Sequence, residues 1–416
     1  MAPVYGLLGE KLGHSLSPQI HKKLCGYAYQ LFEMPQSKVK EFVNGRRFRA
    51  VNVTIPYKKT VMPLCDFLSP QAERIGSVNT LKVDDEGKIH GYNTDYYGFS
   101  YLLKRAGITP ARKKVLILGS GGSSVTVQAV LSDLHAGQIV VISRSGEENY
   151  QNLARHYDAQ IIVNTTPVGM FPQNLEAPIE LSRFNRCEAV VDIIYNPLRT
   201  KLLLDAAKLG INCSNGLPML VAQAKMAAEI FTDTPLAEDE IERVIGQMEK
   251  EATNIVLVGM PGCGKSTVAG EIGRLLQREV LDTDALCTEE HGKSIPEIFA
   301  LSGEEAFRKT ESRMAEKAGC RLGTVIATGG GIVKRPENFN SLKQNGFIVF
   351  LERPLKELAM EGRPLSTDIE QLQRLYEERY PLYLEFCDTK ITVAQTCTET
   401  AAFVIQQFNQ FLGVNE

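Results

Sequence analysis

The chain has no Cys-x-x-Cys pair, and its nine cysteines are scattered singly. That argues against a disulfide scaffold or a zinc site and for a reducing compartment. It has no excess of charge of either sign: 46 Lys and Arg stand against 49 Asp and Glu, a net charge of −3. Nothing therefore marks a nucleic-acid partner or an anionic membrane surface. No stretch approaches about eighteen uninterrupted apolar residues, so no transmembrane helix is expected. The opening MAPVYGLLGEKLGHS lacks a charged segment followed by a long apolar run, so no signal peptide is expected either. Internal repeats and low-complexity tracts are missing too. What remains is a globular composition, 44% hydrophobic and 23% charged over 416 residues. It has length enough for two or three domains, expected in the cytoplasm.

Short apolar runs alternate with helix-like segments, which favours an α/β architecture. VLIL (115–118), IVVIS (139–143), IIVN (161–164) and AVVDII (189–194) are continuous rather than alternating, as strands buried on both faces of a parallel sheet are. A second series runs IVLVG (255–259), TVIAT (324–328), GFIVFL (346–351) and KITV (390–393). Between them, residues 232–254 are turn-rich and charged, then helical, and the domain boundary is expected near 247–253. Each half carries its own glycine loop, which predicts two nucleotide sites.

In the second half, GMPGCGKS (259–266) fits G-x-x-x-x-G-K-[ST] between an apolar strand and a helical run. Its glycines let backbone N–H groups curl around phosphate oxygens at a helix N-terminus. Lys265 is expected to neutralise the β- and γ-phosphates and Ser266 to ligate Mg²⁺. VLDTDALC (280–287) places two carboxylates at spacing two. On a strand, Asp282 and Asp284 share a face, one available for the magnesium shell and the other for orienting an acceptor hydroxyl. A lone D-x-D is more often a solvated turn. AFRKTE (306–311), ATGGGIV (327–333), EGRPLST (361–367) and EERYPLY (377–383) add arginines near glycine turns, suited to a carboxylate-bearing substrate and a charged transition state.

Residues 253–412 resemble the shikimate kinases. The resemblance implies a P-loop fold of the nucleoside-monophosphate-kinase type. It implies that Gly259, Gly262, Gly264, Lys265, Ser266 and Thr267 hold ATP, and that Ser266 and Asp282 serve Mg²⁺. Asp284, Arg308, Gly330 and Arg379 match the positions that grip shikimate, with Asp284 also orienting the attacking hydroxyl. Arg363 matches a lid arginine over ATP. Only residues 355–362 separate FLERP from RPLST, and so short a lid is expected to exclude water less completely.

In the first half, GHSLSP (13–18), NVTIPYK (52–58), GSVNTL (76–81) and GYNTDYYG (91–98) precede the turn GSGGSS (119–124). Singly these are turns or solvated groups; together they offer hydroxyl, amide, ammonium and carboxylate groups suited to a polyol acid. A lysine beside a carboxylate can polarise a carbonyl and deliver its proton as hydride arrives. Residues 4–245 resemble the shikimate dehydrogenases. By that resemblance Ser15, Ser17, Thr54, Asn79, Asp95 and Gln223 bind 3-dehydroshikimate or shikimate, Lys58 and Asp95 form the catalytic pair, and Tyr195 lies in a further shared segment. Gly119, Gly121, Gly122, Ser143, Arg144, Ser145 and Gly216 fall on the cofactor side. In GLPMLVAQA (216–224), Leu217, Leu220, Val221, Ala224 and Phe231 recur at helical spacing as core, with Gln223 at the stripe's edge. His14 and His21 lack metal-ligand partners and are read as structural; Cys263 and Cys287 receive no catalytic role.

Arg144 stands where a dinucleotide fold commonly has an acid for the adenosine ribose. A guanidinium there can stack on adenine and pair with a 2′-phosphate, which predicts NADPH. Glu147 and Glu148 are expected to narrow that preference. The chain thus reads as a two-lobed dehydrogenase followed by a P-loop kinase. Residues 1–98 with 217–245 form the substrate lobe, 99–216 a Rossmann lobe, 246–252 a linker and 253–416 the kinase. The expected cofactors are NADP(H), ATP and Mg²⁺. The expected partners are small molecules only, with no nucleic acid and no membrane, and a homodimer is compatible. Two other readings stay open: that only one half is catalytic, or that the first half is an NAD-dependent quinate or shikimate dehydrogenase.

Overall fold

The computed structural model describes residues 4–13, 15–358 and 369–413. The chain divides into two compact units, one of Met1–Met170, Glu176–Tyr195 and Leu202–Ile245, the other of Phe171–Leu175, Asn196–Lys201 and Gly246–Glu416.

The first unit contains two sheets. Strands β1 (Tyr5–Gly9), β2 (Tyr29–Glu33), β3 (Ala50–Val53), β4 (Phe67–Leu68), β5 (Thr80–Val83) and β6 (Ile89–Tyr92) lie in the order β2-β1-β3-β5-β6-β4. This sheet is mixed: β1 runs parallel to β2 and β3, whereas β5 is antiparallel to β3 and β6. Strands β7 (Lys114–Leu118), β8 (Gln138–Ile142), β9 (Ile161–Asn164), β10 (Ala189–Asp192) and β11 (Asn212–Ser214) form an all-parallel sheet in the order β11-β10-β9-β7-β8.

The continuous apolar runs explain the second sheet. Val115, Leu116, Ile117 and Leu118 are all fully buried. Because successive strand residues face opposite ways, Val115 and Ile117 pack into a core with Phe99, Leu102 and Val127. Leu116 and Leu118 pack into another with Leu202, Leu203 and Ala206. One strand thus serves two cores, and no polar face is available to alternate. With β8 and β9 on either side of β7, the carboxyl end of β7 is the topological switch point, where ligands of such sheets bind.

The helix Leu217–Thr232 carries the chain back to the first sheet, where Phe231 stacks on Tyr5 at 5.4 Å. On the way it lies against the helix Asp95–Arg105. A Cβ at Gly98 would fall 2.5 Å from the Met219 carbonyl oxygen, so only glycine permits that approach. Ile241, Val244, Ile245 and Met248 are buried at the spacing of one face of the helix Asp239–Ala252. Residues 246–252, expected as a linker, are the last turns of that helix.

In the second unit, β12 (Asn254–Val258), β13 (Val280–Asp282), β14 (Val325–Ala327), β15 (Gly346–Glu352) and β16 (Thr389–Thr392) form a parallel sheet in the order β13-β14-β12-β15-β16. Its core includes Ile255 to Val258 and Phe347 to Leu351, flanked by Val268, Ile272, Val404 and Phe408. Here too the central strand, β12, ends at a switch point. Among the described residues no helix is long and apolar enough to cross a membrane.

Candidate active sites

Asp95 opens the helix Asp95–Arg105 and is buried. Its Oδ2 accepts a hydrogen bond from Lys58 Nζ at 2.5 Å. Lys58 follows β3 in a turn closed by the Tyr57 N–H donating to the Thr54 carbonyl at 2.9 Å, so Thr54 and Lys58 share one turn. A Cβ built on Gly122 would lie 3.9 Å from Lys58 Cδ. The lysine stem therefore passes beside the glycine turn at the end of β7.

A second group lies next to this pair in sequence. Asn79 Oδ1 accepts the Thr94 N–H at 2.7 Å and its Nδ2 donates to Thr94 Oγ1 at 3.0 Å. Thr94 Oγ1 in turn donates to Gln223 Oε1 at 3.3 Å. Asn79, Thr94 and Gln223 are all buried, and the close helix contact at Gly98 is what brings Gln223 within reach. Thr94 was not expected here; its signal was its place directly before Asp95. Ser15 Oγ accepts the Ser17 N–H at 3.2 Å where the helix Ser17–Cys25 begins. Tyr195 is half-buried just past β10, and burial raises its phenol. Among the described residues no hydrogen bond links Tyr195 to the other groups.

The turn after β7 is open toward a ligand. Gly119 has φ +103°, where a Cβ would also meet Thr165 Oγ1 at 2.9 Å, whereas Cβ atoms at Gly121 and Gly122 would meet no backbone. The helix Gly122–Asp133 starts without a side-chain cap; the Ser124 N–H donates to the Gly121 carbonyl at 3.1 Å, which leaves the N–H groups of Gly122 and Ser123 for an anion. Ser143, Arg144 and Ser145 follow β8, with Arg144 and Ser145 exposed. Gly216 has a packing reason, since a Cβ there would lie 2.0 Å from the Ile193 carbonyl oxygen. His21 is fully buried, and desolvation pushes its imidazole down to about 3. It stacks on Tyr29 at 4.2 Å as a neutral core residue. His14 lies outside the described residues.

At the end of β12, Gly262 and Gly264 hold φ of +74° and +97°, turning backbone N–H groups inward. Lys265 opens the helix Lys265–Leu276, buried, its Nζ donating to the Gly259 and Met260 carbonyls at 2.9 Å each. Ser266 Oγ donates to Asp282 Oδ2 at 2.5 Å, and Thr267 is exposed beside it.

The shared strand face expected for Asp282 and Asp284 is not what forms. Strand β13 ends at Asp282, which caps the helix Thr283–His291 by accepting the Asp284 and Ala285 N–H groups. A carboxylate just before a helix does better as a cap than as a strand residue. Asp284 accordingly sits in the first helical turn. Burial, then the nearby Glu311 and Asp282 carboxylates, push it up to about 6.

The turn Gly329–Gly331 organises the rest. A Cβ at Gly329 would lie 2.4 Å from Asp284 Oδ1 and 2.7 Å from Glu311 Oε1; one at Gly330, 2.6 Å from Pro261 of the phosphate loop; one at Gly331, 2.0 Å from Arg308 Nη1. Three glycines therefore bring the acceptor residues against the phosphate loop. Arg308 Nη1 donates to Glu311 Oε2 at 2.7 Å, and Glu311 Oε1 is buried without a partner among the described residues. Arg379, 2% exposed, gives Nη1 to the Gly330 carbonyl at 2.9 Å while its Nε and Nη2 have no partner among the described residues. Glu311 was missed in the sequence, where an Arg–Glu pair at i,i+3 reads as a solvated helix face. Cys263 and Cys287 are fully buried. Arg363 and residues 359–362 of the short lid lie outside the described residues.

The fold and the two sites define a dinucleotide-type oxidoreductase joined to a P-loop phosphotransferase. Comparison with known proteins narrows both classes. The sequence model of the shikimate dehydrogenase substrate binding domain matches residues 7–81, and that of shikimate kinase matches residues 261–411. The NADP⁺ shikimate dehydrogenase of Clostridium perfringens SM101 is 35% identical over 267 residues, covering 59% of this chain and 98% of that protein. The Clostridium beijerinckii enzyme of the same name is 37% identical over 252 residues, with coverages of 56% and 93%. Among solved structures, a chorismate mutase/shikimate 5-dehydrogenase fusion from Clostridium acetobutylicum matches with TM-score 0.58 and 37% identity, over 60% of this chain and 98% of its own. The Thermus thermophilus shikimate 5-dehydrogenase, in complex with NADP(H) and shikimate, matches with TM-score 0.53 and 30% identity, with coverages of 59% and 99%. The chain belongs to the shikimate dehydrogenase family and carries a shikimate kinase domain at its C-terminal end. Its two enzyme classes imply sites for NADP and for ATP.

Proposed function

We propose that the chain reduces 3-dehydroshikimate to shikimate with NADPH and then phosphorylates shikimate on its 3-hydroxyl with Mg·ATP. The observation that supports this best is that each nucleotide loop lies against groups suited to the same polyol acid: Lys58 beside Gly122, and the Asp284–Arg308–Arg379 group beside Pro261. The organisation we assign is a substrate lobe of residues 1–98 and 217–245, a Rossmann lobe of 99–216 and a kinase of 253–416.

In the first reaction, Ser15, Ser17, Thr54, Asn79 and Gln223 hold the hydroxyls and carboxylate of the substrate. Asp95 fixes Lys58, whose Nζ polarises the ketone oxygen and gives it a proton. Bound NADPH supplies the hydride. The uncapped helix start at Gly122 suits its pyrophosphate, and Arg144 suits its 2′-phosphate. In the second reaction, Arg308, Arg379 and the Gly330 turn hold the shikimate carboxylate, which suits the two unpartnered donors of Arg379. Asp284 accepts the proton of the attacking hydroxyl. Lys265 and the loop N–H groups balance phosphate charge as it redistributes. Ser266 and Asp282 form a hard oxygen pair that fits Mg²⁺, which commonly takes one or two protein oxygens together with nucleotide phosphates. The free state of all nine cysteines suits a reducing cytoplasm.

A coupled assay with 3-dehydroshikimate, NADPH and Mg·ATP tests this reading. Shikimate 3-phosphate is expected, formed in step with NADPH consumption; shikimate accumulating without phosphorylation would leave only the first activity.

A further inference from the structure

The cofactor loop after β8 contains an acid that ought to oppose NADPH. Glu148 is close to Arg144 through the backbone, since its carbonyl accepts the Ser143 N–H at 3.2 Å. The loop is braced in that form: Asn152 Oδ1 accepts the Asn149 N–H at 2.8 Å, and Asn152 Nδ2 donates to the Glu147 carbonyl at 2.9 Å. A free carboxylate here could pair with Arg144 or accept from a ribose hydroxyl, and both would favour NADH. Yet Arg144 makes no ion pair among the described residues. Glu148 Oε2 instead meets His156 Nε2 at 3.0 Å. His156 is buried, and among the described residues its Nδ1 has no partner, so the contact with Glu148 is the one hydrogen bond of its imidazole there.

We propose that His156 is a positioning residue for cofactor choice: it holds Glu148 away from Arg144 and so leaves the guanidinium open to the 2′-phosphate. The inference rests on the NADPH reading above. It is tested on the full chain by the ratio of kcat/KM with NADPH to that with NADH, in the wild type, His156→Leu, Glu148→Gln and the double variant. The ratio is expected to fall about tenfold in His156→Leu and to return to within about twofold of wild type in the double variant, as for two coupled neighbours. A simple packing defect would not be rescued by Glu148→Gln. An unmoved ratio in His156→Leu, or a fall that persists in the double variant, overturns the proposal. Should His156→Leu fail to fold, Glu148→Gln alone decides: a parked carboxylate predicts a change below about twofold, and a larger rise overturns it. A wild type preferring NADH defeats the NADPH reading itself; a wild type preferring NADPH with an unresponsive His156→Leu defeats only this inference.

Discussion

The two glycine loops occupy comparable places, each at the carboxyl end of the strand that comes first in chain order in a five-stranded parallel sheet, at that sheet's switch point, and they differ in how their charged groups are supplied. The phosphate loop is self-contained. Its cation, Lys265, follows the last glycine and is already folded onto the loop carbonyls. The dinucleotide turn carries no cation. The residue we propose as partner for the extra phosphate, Arg144, follows the next strand, and the proposed proton donor, Lys58, follows a strand of another sheet. A self-contained loop is recognisable as a motif, whereas a distributed one is assembled by the fold.

That contrast can be broken by mutation. Lys58→Ala should lower dehydrogenase kcat by about a thousandfold, as loss of a general acid does, with kinase turnover within about twofold as expected of a separate site. An equal loss in both assays would contradict two independent sites. Lys265→Ala should lower kinase turnover by about a hundredfold or more, the scale of one lost charge-stabilising donor, and spare NADPH oxidation. Arg144→Ala should be milder: kcat/KM for NADPH falls about tenfold, a typical value for one exposed charge-assisted contact, while NADH is little affected. A parallel loss with both cofactors would mean that Arg144 supports the fold rather than the choice.

The smallest effect concerns pH. Because Asp284 is raised to about 6, it is ionised above that pH and protonated below, so kinase kcat/KM should fall as pH drops through about 6. Glu311→Gln removes one of the like charges responsible and should move the inflection downward, toward the ordinary carboxylate range. A pH profile unchanged by this substitution would separate Glu311 from the tuning of Asp284.

The parallel sheets were legible in the sequence because their strands are continuous apolar runs, as at residues 115–118, where both faces are buried. The phosphate loop was equally plain, since its chemistry lies within eight consecutive positions. Asp282 and Asp284 were misread because the strand ended one residue after the apolar run stopped, and capping outweighed strand continuation. Glu311 and His156 could not be read at all. One resembles half of a surface ion pair and the other an ordinary loop histidine; only tertiary packing shows that each is buried against a charged partner.

Arg379 has a consequence beyond catalysis. Among the described residues the buried Arg379 guanidinium has two donors without a protein partner, and a carboxylate that binds them in the folded state is expected to raise the unfolding temperature by mass action. On the proposed reading, the molecule made by the first activity is also a chemical chaperone for the second. The robustness of the kinase would then follow metabolic flux, and carboxylate buffers such as citrate would imitate that protection while competing with substrate.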